Sequence, residues 1–353
     1  MFRPPCVPDG YPGGYGSYPE RQGRTMQEQA YTGFREAQIG QTLERPVLVT
    51  VIAENTAKNG KTFVRVTMKD GASEITAAMF DVSAAELADR GIRKNMIADV
   101  RLTVSEYQGA RSFKIAEIRP TQDTSLGVGD FTKLPPVELD VMYEEICTLI
   151  GSAADDRGGS CTPLSDLALR ILEDHKKSYM TSSAAVSMHH NLRGGLLYHS
   201  YRMVKAADAL CRVYDGLDRE LMLCGAALHD IGKIWEYRTS VTGEAEITPG
   251  SVLLGHLYMG AALIKGYTAG KDYHREKVQL LIHMILSHHG TREWGAVVCP
   301  ATPEAFVLHY IDNIDAKLYM CEAFYEELAP GSFTEKKPFG LDNRVYRPDL
   351  GEV

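Results

Sequence analysis

Runs of β-branched and aromatic residues between residues 46 and 120 predict an N-terminal β domain. Turn signals at Gly60, Gly71 and Gly109 separate the runs, and a helix-like stretch, SAAELADRG, interrupts them before the fourth. The five runs are PVLVTVIAENTA, TFVRVTMKDG, SEITAAMFD, MIADVRLTVSEY and ARSFKIAEIRP. Three strands, a helix and two more strands are the layout of an OB-fold barrel.

Beyond the barrel the apolar residues recur with helical spacing. The last predicted helix has a defined start, with Thr302 as N-cap and Pro303 in the first helical position. Helices are predicted over 139–151, 163–178, 194–214, 218–229, 256–267, 272–289 and 302–328. We therefore expect a multidomain chain with an N-terminal all-β OB-fold barrel followed by an all-α helical bundle.

Shifts in composition predict the domain boundaries. The first 40 residues are rich in Pro, Gly and Tyr and poor in aliphatic residues, so they cannot bury enough apolar surface to offset the entropy of ordering. The predicted division is a disordered tail over 1–40, a nucleic-acid-binding barrel over 41–122, a linker over 123–138, a helical domain over 139–330 and an extended C-terminal tail over 331–353.

Composition and sequence patterns indicate the cellular compartment of the protein. No apolar run in the 353 residues approaches the roughly 20 residues of a membrane-spanning helix, and the N-terminus lacks the plan of a secretory signal. Seven cysteines without a CxxC pair argue against a disulfide framework. We expect a cytoplasmic protein without a membrane partner. The net charge of −8 excludes a polycationic coat but permits a local basic patch.

The histidines carry the strongest chemical signal. All 11 follow residue 174, and five of them combine with two aspartates on predicted helices that can converge on one cavity. Imidazole and carboxylate together favour a borderline divalent metal, whereas an all-oxygen set would favour magnesium or calcium. The predicted ligands are His199, His229, Asp230, His256, His288, His289 and Asp312.

Seven ligands exceed the needs of one tetrahedral ion, so we predict two ions with Asp230 between them. Two dications, two carboxylates and one hydroxide leave about one positive charge, which favours a phosphate as substrate. Manganese is the first choice, and cobalt, iron or nickel remain open. Because His288 and His289 lie about 100° apart on a helix, one could bind metal while the other contacts phosphate. Asp315 shares a face with Asp312 and is expected to orient a ligand.

Structural roles are the alternative for these residues. A single helical histidine is more often packed or solvated than a ligand, and His229-Asp230 could end a helix before Gly232. His175, His274 and His283 are interpreted in this way. The order of the seven residues together is not explained by helix capping, and this favours metal binding.

The order His199, His229-Asp230, Asp312 resembles the signature of the HD-domain metal-dependent phosphohydrolases, and His256 with His288-His289 resembles the extended form of two-metal members. The stretches MHHNLRGGLLYHS, HHGTREWG and LHYIDNIDAKL are similar to the YhaM-type 3′-to-5′ exoribonucleases over about residues 44–330. That family couples an N-terminal OB-fold to a C-terminal HD domain, in the order predicted above.

The resemblance implies roles for further residues. Besides Asp230 the catalytic set would include Lys233, close to a substrate phosphate, and His190 and Arg193, which would hold the substrate or shape the turn before the helix of His199. The implied activity is metal-dependent 3′-to-5′ removal of nucleoside 5′-monophosphates from single-stranded RNA, with single-stranded DNA as a further substrate. The implied product and direction come from the resemblance and not from the spacing.

The barrel is the predicted site of strand capture, because OB-folds bind single strands through a basic groove and stacked aromatics. Residues 44–119 contain twelve Lys and Arg against ten Asp and Glu, a mild basic excess in an acidic chain. Candidate stacking residues are Phe63, Phe80, Tyr107 and Phe113, and candidate phosphate contacts are Lys61, Arg65, Arg111 and Lys114. We expect about half of these eight to touch nucleic acid.

Two other functions remain compatible with the sequence. An HD-domain phosphohydrolase could act on a nucleotide such as a dNTP or an alarmone, and a non-catalytic regulator could bind single strands with a structural metal. Self-association into a homo-oligomer is a further expectation that no particular residue demonstrates.

Overall fold

The computed structural model describes residues 33–351, apart from 35, 58–59, 72, 108, 133, 155–160, 186–191, 241–242, 244 and 327. The disorder predicted for the start of the chain falls mainly on residues 1–32, outside the described residues. Within the described part, every helix is too short or too polar to cross a bilayer.

The N-terminal strands close into a barrel, and the OB-fold prediction is confirmed. The strands are β1 (Thr42–Thr56), β2 (Thr62–Lys69), β3 (Glu74–Phe80), β4 (Met96–Tyr107) and β5 (Ala110–Pro120). Their order around the barrel is β1-β2-β3-β5-β4, with β1 paired to β4; β3 and β5 pair in parallel, and the other strand pairs of the described barrel residues are antiparallel. Alternate residues such as Val64, Val66 and Met68 are fully buried, as expected for strands with one face on a core.

Helix α1 (Ala84–Asp89) connects β3 to β4 and is defined by its cap. The Ser83 hydroxyl accepts from the Glu86 amide while the Glu86 carboxylate accepts from the Ser83 amide, a reciprocal capping box. Its one buried residue, Leu87, packs into the barrel core. β1 begins before the predicted run because Thr42 already pairs with Thr103 of β4, a contact that local pattern does not encode.

The second domain is a helical bundle, which confirms the predicted fold class. Its helices are α2 (Leu139–Gly151), α3 (Leu164–Asp174), α4 (Lys176–Thr181), α5 (Gly195–Cys211), α6 (Arg219–Leu228), α7 (Lys233–Glu236), α8 (Pro249–Thr268), α9 (Arg275–Ser287) and α10 (Pro303–Tyr325). Residues 220–228 of α6 are all buried, so this helix is the centre of the bundle.

The structure departs from the predicted helices in three places. The run 163–178 is two helices that meet at His175. α8 starts at Pro249, capped by Thr248, and the non-helical backbone of Gly255 (φ 71°, ψ 157°) lies directly before His256. A short hairpin, β6 (Tyr237–Thr239) with β7 (Ala245–Ile247), follows α7.

The C-terminal segment is not simply extended. It folds back as a second hairpin, β8 (Ser332–Phe333) with β9 (Tyr346–Arg347). The Arg347 guanidinium donates to the carbonyls of Tyr325 and Leu328, which ties the segment to the end of α10. The sequence predicted an extended tail because this segment is rich in Pro and charged residues. Composition does not reveal the long-range contacts that fold the segment back.

Candidate metal centre

All seven predicted ligands converge at the centre of the helical domain. α5 contributes His199, the end of α6 contributes His229 and Asp230, and α8 contributes His256 just after its kink. The remaining residues, His288, His289 and Asp312, come from the end of α9 and the middle of α10. The seven residues therefore come from five helices or from the residues directly after them.

Asp230 lies between two groups of imidazoles. Its Oδ2 is 3.7 Å from Nε2 of His199 and 3.3 Å from Nε2 of His229. Its Oδ1 is 3.5 Å from Nε2 of His256 and 3.6 Å from Nε2 of His288. That Oδ1 is buried and accepts no hydrogen bond within the described residues. A buried carboxylate oxygen without a hydrogen-bond donor is suited to a cation.

The donor atoms form three overlapping groups of metal-binding size. In each group the ligand atoms lie within 4.8 Å of one another. The groups are His199, His229 and Asp230; His229, His288 and Asp312; and His256, His288 and His289. In addition, Nε2 of His199 is 3.3 Å from Asp312 and Nε2 of His256 is 3.2 Å from Nε2 of His289. Nitrogen and carboxylate donors at this density fit divalent transition metals.

Four imidazoles are oriented through Nδ1, which leaves Nε2 directed at the centre. A partner at Nδ1 fixes the ring and the nitrogen that is free to bind metal. The partners are Asp315 for His199 (2.7 Å), Glu236 for His256 (2.8 Å), the Ala226 carbonyl for His229 (2.9 Å) and the Ile285 carbonyl for His288 (2.8 Å). The expectation that Asp315 orients a ligand agrees with this contact.

The protonation states follow from these contacts. Burial opposes ionisation of Asp230, but Lys233 and His229 hold the pKa of its carboxyl well below the usual range. Burial likewise opposes the charge on His199, yet its bonds to Asp312 and Asp315 raise the pKa of His199 to about 10. Burial, with the charges of neighbouring histidines, lowers the pKa of His289 to about 3. Without metal, His199 is therefore protonated at neutral pH and His289 is neutral.

Two glycines allow the backbone to approach the site closely. A Cβ on Gly232 would lie 2.1 Å from the His256 carbonyl oxygen, so the glycine of HDIGK lets α7 pack against the backbone of His256. A Cβ on Gly290, whose φ is +81°, would lie 2.2 Å from the ring of His309.

The residues assigned by resemblance differ in their positions. Lys233 begins α7, and its Nζ lies 2.7 Å from Oδ2 of Asp230 in the wall of the cavity. Arg193 directly precedes Gly194, the left-handed N-cap residue of α5, and does not line the cavity in the described part of the chain. This position suits the turn-shaping alternative. His190 lies outside the described residues.

Sequence reasoning missed several residues of the site. Glu236 orients His256, and Nε of Arg202 lies 2.5 Å from Oδ1 of Asp315 behind His199. His309 donates from Nδ1 to the His288 carbonyl at 2.8 Å and faces the cavity. Helical spacing could have indicated two of them. Arg202 lies three residues after His199 on α5, and His309 lies three residues before Asp312 on α10, so each shares a helix face with a predicted ligand.

The cavity has a volume of about 380 Å³ and extends beyond the candidate ligands. Side chains of α10, the loop after α9 and the C-terminal segment form its outer part. These outer residues are Trp294, His309, Asn313, Ala316, Lys317, Met320, Gly340 and Asp342. This size is at the lower end of the range for small-molecule sites.

The barrel brings some of the predicted contacts together on its outer face. Phe63 pairs across the strands with Phe80, their ring centroids 5.5 Å apart, and Phe80 is 53% exposed. Arg65 pairs with Ala78, which pairs in turn with Lys114. Arg65 and Lys114 therefore lie in the cross-strand row next to that of the two phenylalanines. Phe63, Phe80, Arg65 and Lys114 therefore form one continuous patch, which we call the barrel patch.

The other barrel candidates have different surroundings. The structure corrects the prediction that Phe113 stacks on nucleic acid. Phe113 is 8% exposed and packs edge-to-face on Phe34 in the core, because its position in β5 faces inward. Arg111 donates to the Ala37 carbonyl at 2.9 Å. Lys61 pairs with Asp81 at 3.2 Å, while Tyr107 is 66% exposed at the end of β4.

Known proteins resemble both parts of the chain. The HD domain family matches residues 196–317. The 3′-5′ exoribonuclease YhaM of Shouchella clausii (strain KSM-K16) is 31% identical over 320 residues, which cover 90% of this chain and 97% of that protein. The proteins of the same name from Geobacillus sp. (strain WCH70) and Bacillus subtilis (strain 168) are 31% and 30% identical, and cover 91% and 88% of this chain and 96% of each relative.

Proposed function

The chain belongs to the YhaM family of 3′-5′ exoribonucleases, and from this membership we propose that it shortens single-stranded RNA from the 3′ end and releases nucleoside 5′-monophosphates. It is a divalent-metal-dependent hydrolase with an HD domain. Single-stranded DNA is proposed as a further substrate. The observation that carries the proposal is the convergence of seven imidazole and carboxylate side chains on one centre, in which four of the imidazoles lie against the two oxygens of Asp230.

We propose two divalent ions, with manganese as the native metal. One ion would be held by His199, His229, Asp230 and Asp312, and the other by Asp230, His256, His288 and His289, sets that follow from the groups and pair distances given above. Such ions, when bound, supply an activated water and positive charge for the phosphate oxygens. Both His288 and His289 fit as ligands, since each has its Nε2 turned to this centre.

Side chains of the protein itself supply the rest of the proposed chemistry. The buried Lys233 ammonium stays charged, because the ionised Asp230 carboxylate outweighs the cost of burial and raises the pKa of Lys233. We propose that this charge stabilises the phosphate as negative charge develops on it during hydrolysis. Asp315 and Glu236 hold His199 and His256 in fixed orientations, so the centre is organised before substrate arrives.

Direct incubation tests this activity. Purified protein with 5′-labelled single-stranded RNA and Mn²⁺ should give a ladder of progressively shorter labelled products, and chelator should abolish it. Labelled mononucleotide as the first product would instead indicate the opposite direction. Intact RNA with every divalent metal tested would favour a non-catalytic binding protein.

The barrel patch should contribute to strand binding. Because a base stacked on an aromatic ring contributes about 1–3 kcal/mol, Phe80→Ala should weaken single-stranded RNA binding by about 5- to 150-fold. Fluorescence anisotropy with labelled RNA in chelator measures this effect without cleavage. Tyr214→Ala is the matched control, since Tyr214 is a 57% exposed aromatic three residues beyond α5 in the helical domain. Equal losses in both variants would contradict a specific role for the patch.

Metal binding should release a proton. His199 is protonated in the metal-free protein at neutral pH because its pKa is raised to about 10, and a ligand must be unprotonated. His289, with its pKa lowered to about 3, has no proton to lose. Calorimetric titration with Mn²⁺ at pH 7.5, in buffers of different ionisation enthalpy, should therefore show release of protons to the buffer. Identical enthalpies in all buffers would argue against His199 as a ligand.

A further inference from the structure

The outer half of the cavity contains an aromatic side chain that the metal chemistry does not use. Trp294 is 59% exposed and yet lines the same cavity as Asp230 and Lys233. A large exposed indole beside a polar, anion-binding centre suits a ligand that has both a flat apolar face and a phosphate. A nucleotide is such a ligand.

The loop that carries Trp294 is fixed in place. The indole belongs to a 3-10 turn over Arg292–Trp294, closed by a bond from the Trp294 amide to the Thr291 carbonyl at 3.2 Å. Beyond the turn, the Val297 amide donates to the Leu286 carbonyl of α9 at 3.0 Å. An aromatic ring on an anchored turn loses little freedom when a base stacks on it.

The same turn lies against the candidate ligands. A Cβ on Gly295 would be 3.5 Å from Nδ1 of His289, so the backbone next to Trp294 rests on that imidazole. The Trp294 ring is 6.0 Å from the ring of His309, which in turn donates to the His288 carbonyl at 2.8 Å. These contacts place the indole next to the α9 end of the metal centre.

We propose that this outer half is a subsite for the 3′-terminal nucleotide, in which Trp294 stacks on the terminal base while Asn313 and Lys317 of α10 face its sugar and phosphate. This inference rests on the proposed function and names how the same site selects its substrate. A 3′-end nuclease meets every base in turn, and stacking suits that task because all four bases have a π face. The cavity, at about 380 Å³, holds a single nucleotide rather than a duplex end.

The test combines two RNA substrates with variants of Trp294. One RNA has a normal 3′ end and the other has an abasic 3′-terminal nucleotide; removal of that first nucleotide is followed with Mn²⁺. On normal RNA, Trp294→Ala should raise KM about 5- to 150-fold with little change in kcat, and Trp294→Phe should keep most of the affinity. On the abasic RNA, wild type should already show the raised KM and Trp294→Ala should add nothing.

Phe306→Ala is the matched control, because Phe306 is a 47% exposed aromatic in the first turn of α10, outside the cavity. It should leave KM unchanged on both substrates. An equal KM increase for Trp294→Ala on both RNAs, or no increase on either, overturns the stacking subsite. Failure of the wild type to cleave either RNA would instead overturn the proposed function, so the two failures are distinguishable.

Discussion

Asp230→Asn is expected to lower kcat for RNA cleavage by about three orders of magnitude or more, because it removes the carboxylate whose two oxygens lie against the two groups of imidazoles, one oxygen on each. Asparagine keeps the volume of the side chain but has no charge to hold two cations together. Cleavage of 5′-labelled RNA under single-turnover conditions with excess Mn²⁺ measures the loss. RNA binding through the barrel should be largely retained.

A buried carboxylate elsewhere in the same domain provides the control. Asp208 is 4% exposed and pairs with Arg212 and Arg219 at 2.6 Å each, away from the cavity. Asp208→Asn should lower the thermal midpoint but leave kcat nearly unchanged, because its partners are structural. Near-normal cleavage by Asp230→Asn, with a circular dichroism spectrum like that of wild type, would refute the role of Asp230.

The second large effect is expected from a residue that touches no substrate. Asp315→Asn removes the charge that orients His199 through Nδ1, and loss of such an outer partner lowers metal affinity about 10- to 100-fold. Activity at low Mn²⁺ should fall by this factor and should recover as Mn²⁺ is raised. An activity titration with Mn²⁺ separates this shift in metal affinity from a loss of kcat.

Glu322→Gln is the matched variant for this measurement. Glu322 pairs with the same Arg202 guanidinium at 2.9 Å but does not contact His199. It should leave the Mn²⁺ dependence unchanged, because Asp315 still holds Arg202 and His199. A similar shift for both variants would mean that Arg202, rather than the carboxylate on His199, sets the metal affinity.

The fold class and the convergence of the ligands were predictable from the sequence because both depend on strong local signals. Alternating strands with Gly turns define the barrel, and histidines and aspartates within or directly after the helices define the centre. α8 was predicted only from 256, whereas in the structure it begins at Pro249 and is interrupted by the non-helical backbone of Gly255. The two hairpins were missed because their strands are two or three residues long and depend on tertiary contacts.

The residues that orient the candidate ligands, and the faces that the barrel aromatics occupy, were harder to predict from the sequence. Glu236 belongs to a four-residue helix whose direction is set by the approach of Gly232 to the His256 backbone. Phe113 has the same residue type as Phe80, but the barrel register turns one inward and the other outward. Strand composition predicts a stacking platform without specifying which face each aromatic occupies. Self-association remains a prediction from the sequence.

We propose that these imidazoles and carboxylates hold divalent ions around Asp230. Anomalous diffraction from crystals soaked in Mn²⁺ tests this proposal. We expect two strong peaks, one beside Asp230, His199, His229 and Asp312, and the other beside Asp230, His256, His288 and His289. Manganese density elsewhere, with none within coordination distance of Asp230, would contradict it.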